Sequence, residues 1–195
     1  ALIKSKAELA RVLIDRAWTL SLTTSQAVKP WPWADTRPVA VLEAPRLGIR
    51  EVVLEGSSGR NLAFGPTIAN GTDTGEDLVI SGHRDTHFSF LKDLQQGDLL
   101  RLRTSVGVQD YRVAWQETVD SEEEQLVIDD SMTRLTLLTC YPFDGLVGST
   151  NRYVVTCVPA PPRVFSSCLT VPKARPFSRS IARMIASALR ALPML

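Results

Sequence analysis

Histidine and cysteine are scarce: 195 residues hold two of the first and three of the second, and no Cys-x-x-Cys pair occurs. A structural zinc site normally needs such clustered ligands, so none is expected. An odd cysteine count also excludes a full disulfide framework. Long apolar runs are missing as well. The longest uncharged stretch near the start, Ala17 to Val28, has 12 residues and includes Ser, Thr and Gln. A helix that spans a bilayer needs about 20 apolar residues. Neither sign of charge is in excess: 22 basic against 21 acidic residues leave +1, so bulk attraction to nucleic acid is not expected. No internal repeat is visible. The chain begins at Ala1 without a methionine, which suggests that a leading segment was removed.

What remains is an ordinary globular composition, 44% hydrophobic, and a length that suits one domain with a full core. Residues 5–20 predict an amphipathic helix, with Ala7, Ala10, Ile14, Ala17 and Trp18 at helical spacing. Lys29-Pro30-Trp31-Pro32-Trp33 reads as an extended linker whose tryptophans cover a barrel end. From Pro38 the helical period disappears. Short strands are predicted over residues 39–43, 50–55, 78–80, 99–104, 106–119, 133–139 and 153–158, with turns at Leu47-Gly48 and Gly107. Residues 60–77 read as loop, 88–94 as one or two helical turns, and Ser121 to Gln125 as a solvated acidic loop. Many short strands separated by turn signals indicate a mainly β fold, a closed or nearly closed antiparallel-rich barrel. The organisation expected is a helix and linker over 1–37, the barrel over 38–158 and a tail over 159–195. That tail carries six basic residues and no acid, with Ile181, Met184, Ile185, Ala188 and Leu189 in a helical stripe. Such a segment either lies on an anionic membrane, docks on the barrel or stays unstructured.

Three stretches carry chemistry. Arg134-Leu135-Thr136-Leu137-Leu138-Thr139-Cys140 is a strand that Pro142 should stop, because proline cannot donate to a ladder. A cysteine on such a strand is by default a small buried hydrophobe. Two partners change the reading. Ser81-Gly82-His83-Arg84-Asp85 follows the apolar run Leu78-Val79-Ile80, and Asn151-Arg152 leads into Tyr153-Val154-Val155. A thiol, an imidazole and a guanidinium at strand ends are the parts for acyl transfer. Cys140 would attack as thiolate and His83 would protonate the leaving amine. Arg152 offers five donors to an oxyanion and no proton to lose. Thr139 either bonds substrate or fills the strand. Asp85 either orients His83 or pairs with Arg84 at the surface, the ordinary fate of adjacent charges.

These stretches resemble the sortase family. Leu138-Thr139-Cys140 resembles its Thr-Leu-Thr-Cys-like motif with one residue changed, the sequence here reading Thr136-Leu137-Leu138-Thr139-Cys140. Gly82-His83-Arg84-Asp85 resembles its catalytic histidine segment, and Arg152-Tyr153-Val154-Val155 the strand of its catalytic arginine. Three short motifs in the right order and spacing are far more specific than any one. The resemblance covers roughly residues 38–158. The stretch from Ile80 to Phe88 and the Trp31-Pro32-Trp33 lead-in look most like class D-like sortases of Gram-negative, often marine, bacteria.

The resemblance implies a closed barrel of about eight strands and a cysteine transpeptidase. Such an enzyme cleaves a Leu-Pro-x-Thr-Gly-type sorting motif through a thioacyl intermediate and passes the acyl group to an amine. It implies Cys140 as nucleophile, His83 as acid/base and Arg152 as stabiliser, with Thr139, Leu138 and Asp85 toward substrate. It implies a sorting-signal protein as substrate and an enzyme held at the cell envelope outside the cytoplasm by a membrane anchor in a missing segment. No cofactor or metal is expected, since no calcium-loop signature occurs. The amine acceptor stays open, and so does the oligomeric state, with a monomer expected. The basic tail departs from the family pattern, which ends near the last strand. Three rivals stay open: a cysteine hydrolase with the same dyad, a metal site of His83, His87 and Cys140, and a non-catalytic barrel with a Cys140–Cys157 disulfide.

Overall fold

The computed structural model describes residues 2–56, 58–68, 77–123, 129, 131–145 and 149–161, with side chains from Glu8 onward. The basic tail beyond 161, Cys168 included, lies outside the described residues, as does the end of the acidic run after Glu123.

Helix α1 spans Leu2–Thr24 and so exceeds the expected 5–20 at both ends. In its last turns the hydroxyls of Ser21, Thr23 and Thr24 donate to carbonyls one turn back, so these residues sit within the helix without competing for its backbone N–H groups. Ser25 at φ 53 then stops it. Ala10, Ile14, Ala17 and Trp18 are buried, and an Asp15–Arg50 ion pair of 2.7 Å fastens the helix to the barrel. The Pro/Trp stretch is a tight turn and not an extended linker: Ala34 N donates to Trp31 O at 3.0 Å. Trp31 meets Phe64 edge-on at 5.2 Å. Trp33 is 83% exposed and covers nothing among the described residues, contrary to expectation.

Eight strands follow: β1 (Pro38–Ala44), β2 (Ile49–Glu55), β3 (Thr67–Ile68), β4 (Asp77–Ser81), β5 (Leu99–Thr104), β6 (Val108–Asp120), β7 (Arg134–Cys140) and β8 (Asn151–Pro159). They close a barrel in the order β1-β2-β3-β4-β7-β8-β6-β5. The pairs are antiparallel except β2 with β3 and β4 with β7, which run parallel. This is the mainly β closed barrel that the strand pattern predicts. Two short elements lie within the stretch read as loop. They are a helical turn at Gly59–Leu62, capped by Ser58, and the two-residue β3. A strand that short has no period to detect.

All five residues of β4 are buried, as suits a strand covered on both faces. Leu78 and Ile80 of β4, Leu135 and Leu137 of β7, and Val155 and Cys157 of β8 face the barrel interior with Phe88. Alternation then places Thr136, Leu138 and Cys140 on the outer face of β7, and Arg152, Val154 and Thr156 on that of β8. Leu138 packs there with Val119 and Val154. At the start of the parallel pair the Asp77 carboxylate, wholly buried, accepts from Arg134 Nε at 3.0 Å and from Asp129 N at 2.9 Å.

The Asp77–Arg134 pair should therefore hold the β4–β7 register. Removing one member of a buried pair leaves an uncompensated charge, at about 3–5 kcal/mol. Arg134→Ala should lose stability of that order in urea titration; a loss below about 1 kcal/mol, the ceiling for an exposed pair, would contradict it.

Candidate active site

Cys140 is the last residue of β7 and is partly exposed. Its Cα partner on β8 is Arg152. Both residues point to the outer face, so the two side chains leave the sheet from paired positions on one strand pair. Arg152 is the second residue of β8, since pairing begins at Asn151 and not at Tyr153 as the sequence suggested. Its Nη1 donates to Ser149 O at 2.9 Å and Asn151 O at 3.0 Å. Its Nε is buried with no hydrogen-bond partner among the described residues. A buried donor with no acceptor is costly and marks a place where an acceptor is wanted.

His83 arrives from β4. Ser81 is the Cα partner of Leu138, so the next residues of the two strands run on together toward His83 and Cys140. Two bonds carry the pairing past the strand end. Gly82 N donates to Leu138 O at 3.1 Å, and Thr139 Oγ1 donates to Gly82 O at 2.7 Å. A Cβ at Gly82 would come within 2.7 Å of the buried Phe88 ring, so only glycine allows this approach. His83 O then accepts from Phe88 N at 2.9 Å, which turns the chain away. The imidazole is half-buried. Burial holds it below the ordinary value of 6.5, and the charge of His87 adds to this; Asp85 opposes both.

Thr139 is buried on the face opposite Cys140, and its proton is committed to Gly82. Its hydroxyl therefore joins the two segments. Leu138 shares the face of Cys140 but is 5% exposed. The Asp85 side chain is 71% exposed. It pairs with Arg84 as expected, but only the Asp85 end of that pair is at the surface. Arg84 is buried, lies 3.4 Å from Asp85 through Nε, and donates to Pro142 O and Gly145 O at 2.6 Å each. Sequence reasoning missed these bonds because the local pair with Asp85 already accounts for the charge. It also missed the ring cluster behind the site. Tyr141 and Tyr153, which follow Cys140 and Arg152, stack at 6.1 Å, with Phe143 edge-on to Tyr153 at 5.2 Å.

Two rivals lose their footing. His87 Nδ1 lies 2.9 Å from Glu51 Oε2, in a cleft of about 60 Å³ lined also by Arg11 and Asp15 of α1 and by Phe64. It is thus engaged with β2 and not with the thiol. Cys157 is the Cα partner of Leu135, on the inner face and five residues of β7 away from Cys140. Both thiols are free, which overturns the disulfide. Burial pushes the Cys157 thiol up to about 12.

A family model of the Sortase domain matches residues 42–160, more than half of the chain. Sortase D of Bacillus subtilis (strain 168) is 30% identical over 119 residues, which are 59% of this chain and 60% of that protein. The match thus spans less than two thirds of Sortase D's own length. Sortase C-1 of Actinomyces oris has a TM-score of 0.54 and 27% identity, over 65% of this chain and 76% of that one. The Sortase D5 transpeptidase of Clostridium perfringens has a TM-score of 0.60 at 17% identity, over 79% of this chain and 99% of that one, and so speaks for the fold alone. Matched across its barrel by the family model, this chain belongs to the sortase family.

Proposed function

We propose that this chain is a cysteine transpeptidase in which Cys140, His83 and Arg152 do the chemistry. The carrying observation is the pairing of Cys140 with Arg152 on one face, with the His83 segment bonded to the residues just before the thiol. The Cys140 thiolate attacks the carbonyl of a Leu-Pro-x-Thr-Gly-type sorting motif after Thr. A C–S bond forms, and the oxyanion takes the free donor of Arg152. The C–N bond breaks as His83 gives its proton to the leaving amine. An acceptor amine then attacks the thioester and returns a proton to His83, and the C–S bond breaks. The substrate is a surface protein carrying the motif, and the product is that protein anchored through a new amide.

Residues 38–158 are the catalytic unit in this reading. The enzyme works as a monomer outside the cytoplasm, at the cell envelope, tethered to the membrane by a segment other than those described. Among the described residues no helix is long and apolar enough to cross a membrane. Class D-like character is supported by the Sortase D relative. A Gram-negative origin rests on the Ile80–Phe88 and Trp31-Pro32-Trp33 stretches.

Product analysis with and without an added amine tests the acceptor. Transpeptidation predicts an amide product that displaces the free acid; an unchanged yield of acid would make the enzyme a hydrolase. Arg152→Lys keeps the charge but has no donor where Nε stands. Loss of one oxyanion donor costs about 10²–10³ in rate, and single-turnover acylation should fall by that much with little change in melting temperature. Arg60→Lys, at a side chain 79% exposed, is the control and should acylate normally. Equal rates in Arg152→Lys and wild type would remove Arg152 from the mechanism.

The pH profile of acylation should be bell-shaped, because the thiolate and the imidazolium are needed together. Since burial lowers His83, the acid limb should lie below the ordinary imidazole value of 6.5. Both apparent values belong to the pair. A rate that climbs monotonically to high pH in folded enzyme would rule out a required imidazolium. Thiol reactivity separates the two cysteines of the barrel. Iodoacetamide at neutral pH should label Cys140 in folded protein, and Cys157, buried and held near 12, only after unfolding. Equal labelling of both would refute the placement.

A further inference from the structure

Arg84 stands between the proposed acid and an exposed carboxylate, yet its guanidinium turns inward. It is 9% exposed and spends Nη1 and Nη2 on two main-chain carbonyls, Pro142 O and Gly145 O, at 2.6 Å each. A buried guanidinium is costly unless its donors are satisfied, so this arrangement holds only where those carbonyls are presented together. The turn that presents them is tight. Gly145 N donates back to Pro142 O at 3.3 Å, and a Cβ on Gly145 would meet Pro142 Cγ at 2.3 Å. A planar fork can bridge two such oxygens in a fixed direction, which an ammonium cannot.

The position of these bonds matters more than their number. Arg84 directly follows His83, and Pro142 lies two residues beyond Cys140. On the other side, Gly82 directly precedes His83 and is bonded to Leu138 and Thr139, which directly precede Cys140. His83 and Cys140 are therefore flanked on both sides by bonds between their own segments. Take away the Arg84 side and the bonds that join the His83 segment to the thiol's strand, among the described residues, all lie before His83: the β4–β7 ladder and Gly82, a residue without a Cβ to limit its rotation.

We propose that Arg84 is a positioning residue: by clamping the Pro142–Gly145 turn, it fixes the His83 segment against Cys140. This rests on the reading of Cys140 and His83 as the catalytic dyad. Arg84 does not touch the reacting atoms and acts through His83.

A double-mutant cycle tests it. Single-turnover acylation by a Leu-Pro-x-Thr-Gly-type peptide that the wild-type enzyme cleaves is followed by mass spectrometry. The proteins are wild type, Arg84→Ala, His83→Ala, Cys140→Ala and the Arg84→Ala/His83→Ala double variant. A misplacement of about 1 Å costs roughly 10²-fold, so Arg84→Ala should lower the rate at saturating peptide by about 10- to 100-fold. Half-saturation should stay within about threefold, because peptide binding does not use the clamp. In the His83→Ala background the same change should cost less than about twofold, since residues that act as a unit are non-additive. Arg84→Lys can reach one carbonyl and should lose less than Arg84→Ala. If Arg84→Ala does not give a cooperative melt, Arg84→Lys and Arg84→Lys/His83→Ala replace it in the cycle. A wild-type rate in the Arg84 variant overturns the proposal, and so does an equal loss in both backgrounds, which would mean a merely structural role. Wild-type acylation by His83→Ala or Cys140→Ala would instead overturn the dyad itself, whatever Arg84 does.

Discussion

Parallel pairing of β4 with β7 joins two segments 57 residues apart in sequence, and the site exists because of it. Two parallel strands finish at the same end of the barrel. The residues that leave β4 and β7 therefore emerge together, His83 from one and Cys140 at the end of the other. An antiparallel pair would have sent them to opposite ends. The register matters as much as the direction. Side chains alternate, so a slip of one residue along β7 would turn the thiol inward among Leu135 and Leu137. Asp77 and Arg134 hold that register at the start of the pair, and Gly82 with Thr139 hold it at the finish.

The second pairing, β7 with β8, is antiparallel, and it sorts the two thiols of the barrel. Cys140 and Arg152 face outward beside each other; Cys157 on β8 faces inward and is wholly buried. One thiol is available for chemistry at the position paired with Arg152, while burial holds the other near 12, protonated and inert. Residue type is the same in both. What separates them is the parity of their position along a strand. The aromatic stack of Tyr141, Tyr153 and Phe143 lies on the inner side of the same strand ends and braces them from behind.

Much of this was legible in the sequence, for physical reasons. Apolar, β-branched runs closed by proline or glycine marked β4, β7 and β8, and the residues at their ends named Cys140, His83 and Arg152. What escaped notice shares one property: it depends on contacts distant in sequence. β3 is two residues long and exists only because β2 and β4 are there to pair with it. Arg84 reads locally as half of a surface pair, whereas its partners are 58 and 61 residues away. Trp33 looked like a barrel lid but is 83% exposed, because no rule of local sequence says which side of a turn faces the core. His87 lies at helical spacing from His83, yet the chain turns after His83 and takes it to Glu51. The bond from Thr139 to Gly82, 57 residues away, has no local signal either.

The central claim is that Cys140 carries the acyl group between donor and acceptor. It is tested most directly by mixing the protein with a sorting-motif peptide, quenching in acid during turnover, and measuring intact and fragment masses. The account predicts an adduct equal to the acyl fragment ending at Thr, located on Cys140 and released by hydroxylamine as a thioester should be. Peptide cleavage with no adduct at any time, or an adduct on another residue that persists in Cys140→Ala, would contradict it.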